Sequence, residues 1–212
     1  MVVVHQRDAE FNLNIMGKYI GPKNKIARRF GVNLGLKSEA TKVARRLGQM
    51  PGVHGPKKRA KGGSSYSKQL IEKQKAKFIY GIREAQFSRY VKEASSMKGD
   101  SGVNLQTILE TRLDNVIYRM GFALTRAQAR QMVNHGMFTV NGKNLNIPSH
   151  IVKVGDVIAV RDKKLKKSLF LDLEEKLTKV QLPSWISVDP KTKSGKILNL
   201  PTEQDFDKIF DV

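Results

Sequence analysis

The sequence contains no cysteine, so disulfide bonds and thiolate-bound metal ions are excluded. It has no apolar run long enough to cross a bilayer, and its first fifteen residues lack the charged start and long apolar stretch of a secretory signal. Acidic residues are few as well, with 19 Asp and Glu against 39 Lys and Arg. These absences predict a soluble protein and are compatible with a cytosolic location.

The net charge of +20 is concentrated in one part of the chain. Residues 16–78 contain seventeen Lys and Arg but only Glu39 and Glu72 as acids, which gives this segment a charge of +15. Release of counterions from phosphates would drive such a segment onto a polyanion. A membrane surface is the competing partner, but nine glycines and three prolines between residues 17 and 64 prevent a long basic amphipathic helix. We therefore expect nucleic acid as the partner and no membrane.

A stretch rich in arginine, RLDNVIYRMGFALTRAQARQMV, occupies residues 112–133. Apolar residues recur at helical spacing from Leu105 to Met120, which predicts one amphipathic helix that ends at Gly121. Thr125, with Gln128 three residues later, predicts a capping box at the start of a second helix. The two helices are expected to form a tight pair.

Polar side chains form a row beside the buried face of each predicted helix. They are Arg112, Asn115 and Arg119 in the first helix, and Arg126, Arg130 and Asn134 in the second. Because residues 104–161 contain only three acids, most of this charge is expected to lack a partner and to face RNA phosphates. The alternative is a solvated face of paired arginines. Outward placement predicts that Arg126→Ala weakens the salt dependence of RNA binding and leaves thermal stability near wild type.

A hairpin and a further strand follow the helix pair. Asn141 and Gly142 tolerate positive φ and predict a tight turn between strands at 138–140 and 143–147. The segment VKVGDVIAV, residues 152–160, alternates apolar and polar side chains around a Gly-Asp turn. The whole unit is therefore predicted to be α-α-β-β-β.

The segments on either side of this unit are also patterned. MGKYIGPKNKIARRFG predicts an extended start and a short basic helix, whereas PGVHGPKKRAKGG predicts irregular backbone that orders on RNA. Residues 65–99 predict two helices separated by Gly81, with aromatic side chains that pack in the core rather than stack on bases. Residues 169–180 have helical spacing, and residues 185–188 and 197–200 alternate as strands. The lysines at 163, 164, 166 and 167 form either a solvated linker or another phosphate contact.

Several of these motifs resemble a known family. The helix pair, the His-Gly before the hairpin, VNG and VKVGDVIAV resemble the RNA-binding domain named after small-subunit ribosomal protein four. GKYIGPKNKIARRFG, PGVHG, YSKQLIEKQKAKFIYG, LPSWISVD and SGKILNLP occur in the order found in bacterial-type small ribosomal subunit protein four. The ordered agreement extends from residue 16 to about residue 201, which is far more specific than any single motif.

The resemblance implies a structural ribosomal protein and a primary binder of small-subunit ribosomal RNA. Such a protein seats on a multi-helix RNA junction, nucleates assembly of the subunit body and contributes to translational accuracy. The implied partners are small-subunit ribosomal protein five, other small-subunit proteins and mRNA near its path into the ribosome. The implied location is the cytoplasmic ribosome, with an organellar ribosome left open.

The sequence departs from the family pattern in three places. Many members hold zinc with a cysteine cluster in the basic arm, but here cysteine is absent and His5, His54, His135 and His150 are scattered, so neither zinc nor another cofactor is expected. Residues 1–15 precede the usual start and are interpreted as an extension or a mis-assigned start. The chain ends at FDV, short of the usual apolar-aromatic closing segment.

These patterns together predict an α+β fold in four parts. Residues 1–15 are the extension, and residues 16–110 form the basic arm and a mainly helical domain. Residues 111–175 form the α-α-β-β-β RNA-binding domain. By the resemblance, residues 176–212 return to pack on the helical domain, which makes the RNA-binding domain an insertion.

Predicted RNA contacts fall in the arm and in the RNA-binding domain, and they include amide, hydroxyl and imidazole groups beside the cations. The arm and helical residues are Lys18, Tyr19, Lys23, Lys25, Arg28, Arg29, Arg45, Arg46, His54, Lys57, Lys58, Arg59, Lys73 and Lys75. The residues of the RNA-binding domain are Arg112, Asn115, Arg119, Thr125, Arg126, Arg130, Asn134, His135, Asn141 and Lys143.

Two other functions compete with the ribosomal one. Arg112-Leu113-Asp114 resembles the catalytic aspartate motif of pseudouridine synthases, but Val116, Ile117 and Tyr118 follow in helical register instead of the turn those enzymes place there. We find no nucleophile-base pair, phosphate loop or metal-spaced set of ligands, so the chain is not expected to be an enzyme. A non-ribosomal RNA-binding module with the same domain is the second alternative, and the long basic arm argues against it.

Overall fold

The computed structural model describes residues 19, 21–52, 64–178, 180–207 and 209–210. Its α-helices are α1 Lys23–Phe30, α2 Ala40–Ala44, α3 Ser65–Tyr80, α4 Glu84–Ser96, α5 Ser101–Glu110, α6 Leu113–Arg119, α7 Arg126–Asn134 and α8 Leu173–Leu177. Its strands are β1 Phe138–Val140, β2 Lys143–Asn144, β3 Val157–Val160, β4 Ile186–Asp189 and β5 Ser194–Ile197. Short 3₁₀ turns lie at Asp162–Lys164, Ser168–Phe170 and Glu203–Asp205. The predicted α+β class is confirmed.

A helical unit is built from α1, α3, α4 and α5 around one apolar core. Ile26, Ile79, Phe87, Tyr90 and Leu109 are buried together in it. Helix α3 ends at Gly81, whose φ of 61° closes the last turn. The predicted helices on both sides of Gly81 are confirmed, and the buried Phe87 and Tyr90 rings confirm the packing role expected for the aromatic side chains.

A sheet unit follows, with α6 and α7 on one face of a five-stranded antiparallel sheet of order β2-β1-β3-β5-β4. Phe138, Ile158 and Trp185 lie in its core, and all three are almost completely buried. Asn141 and Gly142 have φ angles of 50° and 76°, so the predicted tight turn is confirmed. The second hairpin strand is shorter than predicted and covers only Lys143–Asn144. The α-α-β-β-β order is therefore correct.

The single helix predicted from Leu105 to Met120 is wrong, because the chain is extended at Arg112. The backbone N–H groups of Leu113 and Asp114 donate to the carbonyls of His150 and Pro148, at 2.8 and 3.1 Å. Arg112 also forms an isolated antiparallel bridge with Ile151. These pairings replace the hydrogen bonds that a continuous helix would form. The break lets α5 face the helical core while α6 faces the sheet core.

The tail is placed differently from the expectation. Its strands β4 and β5 extend the sheet, with Ile158 opposite Gly195, instead of packing on the helical unit. Trp185 and Ile197 are buried in the sheet core, beside Leu173 and Leu177 of α8. Only the last described residues, Ile209 and Phe210, reach the helical core. The expectation that the tail packs on the helical domain is thus wrong for its strands.

Gly121, which follows α6, lies close to Val180 of the tail, and this close approach leads to a stability prediction. Its φ is 83°, and a Cβ atom there would lie 2.8 Å from Cγ2 of Val180. Gly142 has a similar φ of 76° but an open surrounding. We expect Gly142→Ala to lower the free energy of unfolding by about 1 kcal/mol, because of the left-handed backbone alone. Gly121→Ala should lower it by this amount and by about 1–3 kcal/mol more, because of the clash with Val180.

Denaturant unfolding of both variants, with Val180→Ala and the Gly121→Ala/Val180→Ala double variant, completes a double-mutant cycle. The clash predicts that Gly121→Ala is less harmful when Val180 is already alanine. Equal losses for the two glycine variants, with no coupling to Val180, would contradict the close approach of the tail.

Candidate nucleic-acid interface

The four arginines of residues 112–133 are bound within the protein. Arg112 lies in a fork on Asp114, with Nε and Nη2 at 3.1 and 2.8 Å from the two carboxylate oxygens, and its Nη1 donates to the Tyr90 hydroxyl at 2.6 Å. Its side chain is 1% exposed. Arg130 shares Asp114 at 3.6 Å and donates to the Gly81 carbonyl at 3.2 Å. These contacts tie the helical unit to the start of the sheet unit.

Glu110 is the centre of a second cluster, which we call the inter-unit network: Tyr80, Glu110, Asn115, Arg119, Arg126 and Asp207. The Glu110 carboxylate is fully buried and accepts from the Tyr80 hydroxyl at 2.6 Å and from Asn115 Nδ2 at 2.8 Å. Arg119 adds two further bonds to it, both of 2.8 Å. The carboxylate is thus fully satisfied.

Arg126 completes this network from α7. Its Nε donates to Asn115 Oδ1 and its Nη2 to Asp207 Oδ2, both at 2.7 Å. The guanidinium also stacks over Tyr80 and Tyr118, at 5.0 and 4.5 Å from the ring centres. Asp207, from the end of the tail, additionally pairs with Arg119 at 3.1 Å. Three distant parts of the chain therefore meet at one set of charges.

The predicted outward direction of these arginines is wrong for Arg112 and Arg126, which are 1% and 8% exposed. Asn115 is also 1% exposed. Counting acids gave the wrong expectation because Glu110 and Asp114 each pair with two arginines, and because Asp207 comes from a distant segment. The break at Arg112 also turns the predicted row inward. As folded, Arg112 and Arg126 have almost no surface to offer a phosphate.

Burial and charge shift the pKa values in this network. Burial alone would raise the pKa of Asp207, but the attraction of Arg126 and Arg119 outweighs it and holds that pKa below its usual range. For Tyr80, burial and the neighbouring Glu110 carboxylate raise the pKa well above its usual range. Near neutral pH, Asp207 is therefore ionised and Tyr80 is a neutral donor.

Other predicted contacts are at the surface. The exposed residues are Lys25, Arg29, Arg45, Arg46, Asn134, His135, Asn141 and Lys143, and the half-buried ones are Tyr19, Lys23, Arg28, Lys73, Lys75, Arg119, Thr125 and Arg130. We name Lys25, Arg29, Arg45 and Arg46 the arm surface. Arg28 donates to the carbonyls of Gln49 and Met50, at 2.9 and 3.1 Å, and so ties α1 to the chain after α2. The residues of the arm surface therefore lie on a segment whose two ends are joined by these hydrogen bonds.

Some of the predicted RNA contacts at the surface also form ion pairs or hydrogen bonds within the protein. Lys73 pairs with Glu84, and Lys75 pairs with Glu72, both at 2.7 Å. The Thr125 hydroxyl caps α7 through Gln128 N at 3.2 Å, as predicted, but the Gln128 side chain accepts from Leu124 N rather than completing the box at Thr125. The Asn141 amide bonds Asp156 and Val157. Lys18, His54, Lys57, Lys58 and Arg59 lie outside the described residues.

The sequence reading missed the acids that organise this region. Glu110 follows the apolar Ile108 and Leu109 directly, which is a weak signal that its side chain is buried. Nothing in the sequence pattern points to Asp207. Within the described ranges, no helix is both long and apolar enough to span a membrane, and no three acidic or imidazole side chains are grouped to hold a metal ion.

Comparison with known proteins covers both units. Residues 18–110 match the ribosomal protein S4/S9 N-terminal domain, and residues 111–158 match the S4 domain. Small ribosomal subunit protein uS4 of Herpetosiphon aurantiacus is 49% identical over 197 residues, which cover 91% of this chain and 93% of the relative. The proteins of the same name from Caldicellulosiruptor bescii and Roseiflexus castenholzii are 47% and 45% identical, and they cover 91% and 90% of this chain and 93% and 92% of their own lengths.

The burial of Arg126 reverses the expected effect of its removal. Arg126→Ala leaves Asn115 and part of Asp207 without their donor, so we expect the free energy of unfolding to fall by about 3–5 kcal/mol, with little change in the salt dependence of RNA binding. Arg45→Ala, at an exposed position, should change stability by less than about 0.5 kcal/mol. Chemical denaturation and salt titration of both variants test this. If the Arg126→Ala protein is as stable as wild type and has a reduced salt slope, Arg126 contacts RNA phosphates as the sequence predicted.

The lowered pKa of Asp207 predicts a stability change in acid. Because the folded-state pKa lies below the unfolded value of about 3.9, the carboxylate stabilises the protein at neutral pH, and this contribution is lost as pH falls through the folded pKa. Wild type should therefore be more stable than Asp207→Asn at pH 7, and the difference should shrink below about pH 4. Asp162→Asn, at an exposed position, is the matched control. A difference that is constant from pH 7 to pH 3 would contradict the pairing.

Proposed function

The chain belongs to the family of small ribosomal subunit protein uS4, and from that premise we propose how its surfaces divide the work of binding RNA. The chain is a structural ribosomal protein that binds small-subunit ribosomal RNA, and it is not an enzyme. In our proposal the arm surface makes the main phosphate contacts. The chain acts there as a primary binder that seats early on the RNA and nucleates the subunit body.

The division of arginines between surface and interior carries this proposal. Arg45 and Arg46 are exposed, whereas Arg112 and Arg126 are bound to carboxylates inside the protein. Exposed cations release counterions from phosphates on binding, but a buried arginine that already holds a carboxylate cannot. The arm surface thus supplies affinity, and the buried arginines hold the scaffold that presents it.

The sheet unit contributes a second, smaller contact in this proposal. Asn134, His135 and Lys143 are exposed there, and Lys153 adds another exposed cation that the sequence reading did not include. Amide and imidazole groups reach the 2′-hydroxyls and phosphates of A-form RNA, whose base edges are hidden in a deep groove. Two rigidly joined surfaces would then read the shape of a folded RNA junction rather than its sequence.

We also propose a protein contact at the sheet. Val154, Val157 and Leu198 are 52%, 40% and 44% exposed, and the pairing of Val157 with Lys196 brings their chain segments together. Exposed apolar groups of this kind mark protein interaction sites. Small-subunit ribosomal protein five is the proposed occupant, with other small-subunit proteins and mRNA nearby, which would connect this surface to decoding accuracy on a cytoplasmic ribosome.

The environment of Asp114 opposes a catalytic reading of Arg112-Leu113-Asp114. Asp114 is 3% exposed, and Arg112 holds both of its carboxylate oxygens. A catalytic carboxylate has to reach its substrate, and this one is closed off by its own partner. In this chain the Arg-Leu-Asp motif that resembles the pseudouridine synthase motif forms a structural ion pair between Arg112 and Asp114.

Salt titration of RNA binding tests the arm surface. If six to ten phosphates are engaged, wild-type affinity for small-subunit ribosomal RNA should fall by roughly 10³–10⁵ between 50 and 200 mM salt. The double variant Arg45→Ala/Arg46→Ala should lower the salt slope by about 2. Lys176→Ala/Lys191→Ala removes the same charge from the exposed tail and should leave the slope nearly unchanged.

Transfer RNA and unrelated messages serve as competitors in the same titration. A preference for either over small-subunit ribosomal RNA would favour a non-ribosomal RNA-binding module. Equal slopes for the two double variants would show that the arm surface does not carry the phosphate contacts.

A further inference from the structure

A cavity of about 110 Å³ lies where three parts of the chain meet. The segment from α1 to Leu36 forms one side, the turn between α3 and α4 forms the second, and Arg126, Ala127 and Arg130 of α7 form the third. The cavity is therefore placed between the basic arm and the sheet unit, beside the inter-unit network.

The cavity wall suits a flat aromatic ring. Tyr19 and Phe78 line it with their rings edge to face, at a centroid distance of 5.9 Å, and Ile26 and Leu36 add aliphatic surface. Arg130, whose side chain is 31% exposed, supplies a planar guanidinium on the α7 side. An engineered apolar cavity of about 150 Å³ admits benzene, so a space of this order holds one six-membered ring and not a drug-sized molecule.

The charge around the cavity selects an anionic ligand. Lys23, Lys77, Arg83, Arg126 and Arg130 line it, whereas Glu84 is the only carboxylate among the lining residues that the structure describes. Glu84 is already bound to Lys73 and Lys77, so it does not oppose an incoming anion. Arg83 is exposed, and among the described residues it pairs with no carboxylate. An aromatic ring carried on a phosphate chain fits both the wall and the surrounding cations.

We propose that this cavity receives a single unstacked pyrimidine nucleotide of the ribosomal RNA, with its base against Tyr19 and Phe78 and its phosphate near Arg83. The inference rests on the proposed function and adds one defined subsite to it. Unstacked bases are recognised in this way, by aromatic rings and guanidinium planes. The cations favour a nucleotide over an aromatic side chain of a partner protein.

Two matched pairs of variants test the subsite in the full-length protein. Ala127→Phe fills the cavity without removing a charged or hydrogen-bonding side chain, and Ala85→Phe places the same ring at an exposed position of α4. Arg83→Ala removes a cation from the cavity at the residue before α4, and Arg89→Ala removes one from an exposed position within α4 and outside the cavity. Each control matches its partner in size and charge.

The first readout is affinity for a small-subunit ribosomal RNA transcript at fixed salt. We expect Ala127→Phe to weaken binding by roughly 5- to 150-fold, the range for loss of one base–aromatic contact, and Ala85→Phe to have no effect. Arg83→Ala should weaken binding more than Arg89→Ala. If Ala127→Phe fails to fold, judged by circular dichroism, the arginine pair and the readout below decide.

The second readout is photocrosslinking of wild-type complexes made with transcripts that carry 5-iodouridine or 5-iodocytidine. A crosslink from one pyrimidine to Tyr19 or Phe78 supports the proposal. Absence of any such crosslink, together with equal binding by both members of each pair, overturns this proposal. The proposal for the arm surface would still hold in that case if wild type binds small-subunit RNA selectively and with a steep salt slope. Loss of that selectivity overturns both proposals. Normal RNA binding by Ala127→Phe with loss of a neighbouring protein from reconstituted subunits would assign the cavity to a protein side chain instead.

Discussion

Glu110 lies between the two units with its carboxylate excluded from solvent, and its burial is tolerated because Tyr80, Asn115 and Arg119 all donate to it. Removing a charge from water costs several kcal/mol unless partners surround it, so any displacement of the units would expose an unsatisfied group. Asp207 extends the same constraint to the tail through Arg126. We infer that the network contributes mainly to a single arrangement of the two units, since buried ion pairs add little net stability over apolar packing.

This constraint explains why arginine occurs in two populations. Inside the protein, the planar guanidinium makes several directed bonds at once, and Arg126 bonds Asn115 and Asp207 while it stacks on two rings. At the surface, Arg45 and Arg46 keep their charge available to solvent and to phosphates. Basic composition alone therefore overstates the exposed charge of the second unit, in which Arg112 and Arg126 are buried.

Local signals in the sequence were sufficient for most elements. Asn141-Gly142 forms a turn through its own backbone preference, and Gly81 and Gly121 end helices by adopting positive φ. Thr125 caps α7 by accepting a hydrogen bond from Gln128 N, only three residues away. In each case a short stretch of sequence contains the whole cause. The break at Arg112 depends on carbonyls of residues 148 and 150. The inward turn of Arg126 depends on Asp207, a residue 81 positions away. Periodicity cannot register either cause, because each is a contact formed only after the chain has folded back.

The position of β4 and β5 in the sheet has a consequence for how the protein is made. These strands and Asp207 come from the carboxy-terminal end, yet they complete the sheet beside β3 and the charges between the units. Translation delivers the cationic arm well before these strands and Asp207, and such long-range pairings form late. In a nascent chain, the arrangement of the two units can therefore be fixed only after Asp207 has been synthesised, since Arg126 has no carboxylate partner from the tail before then.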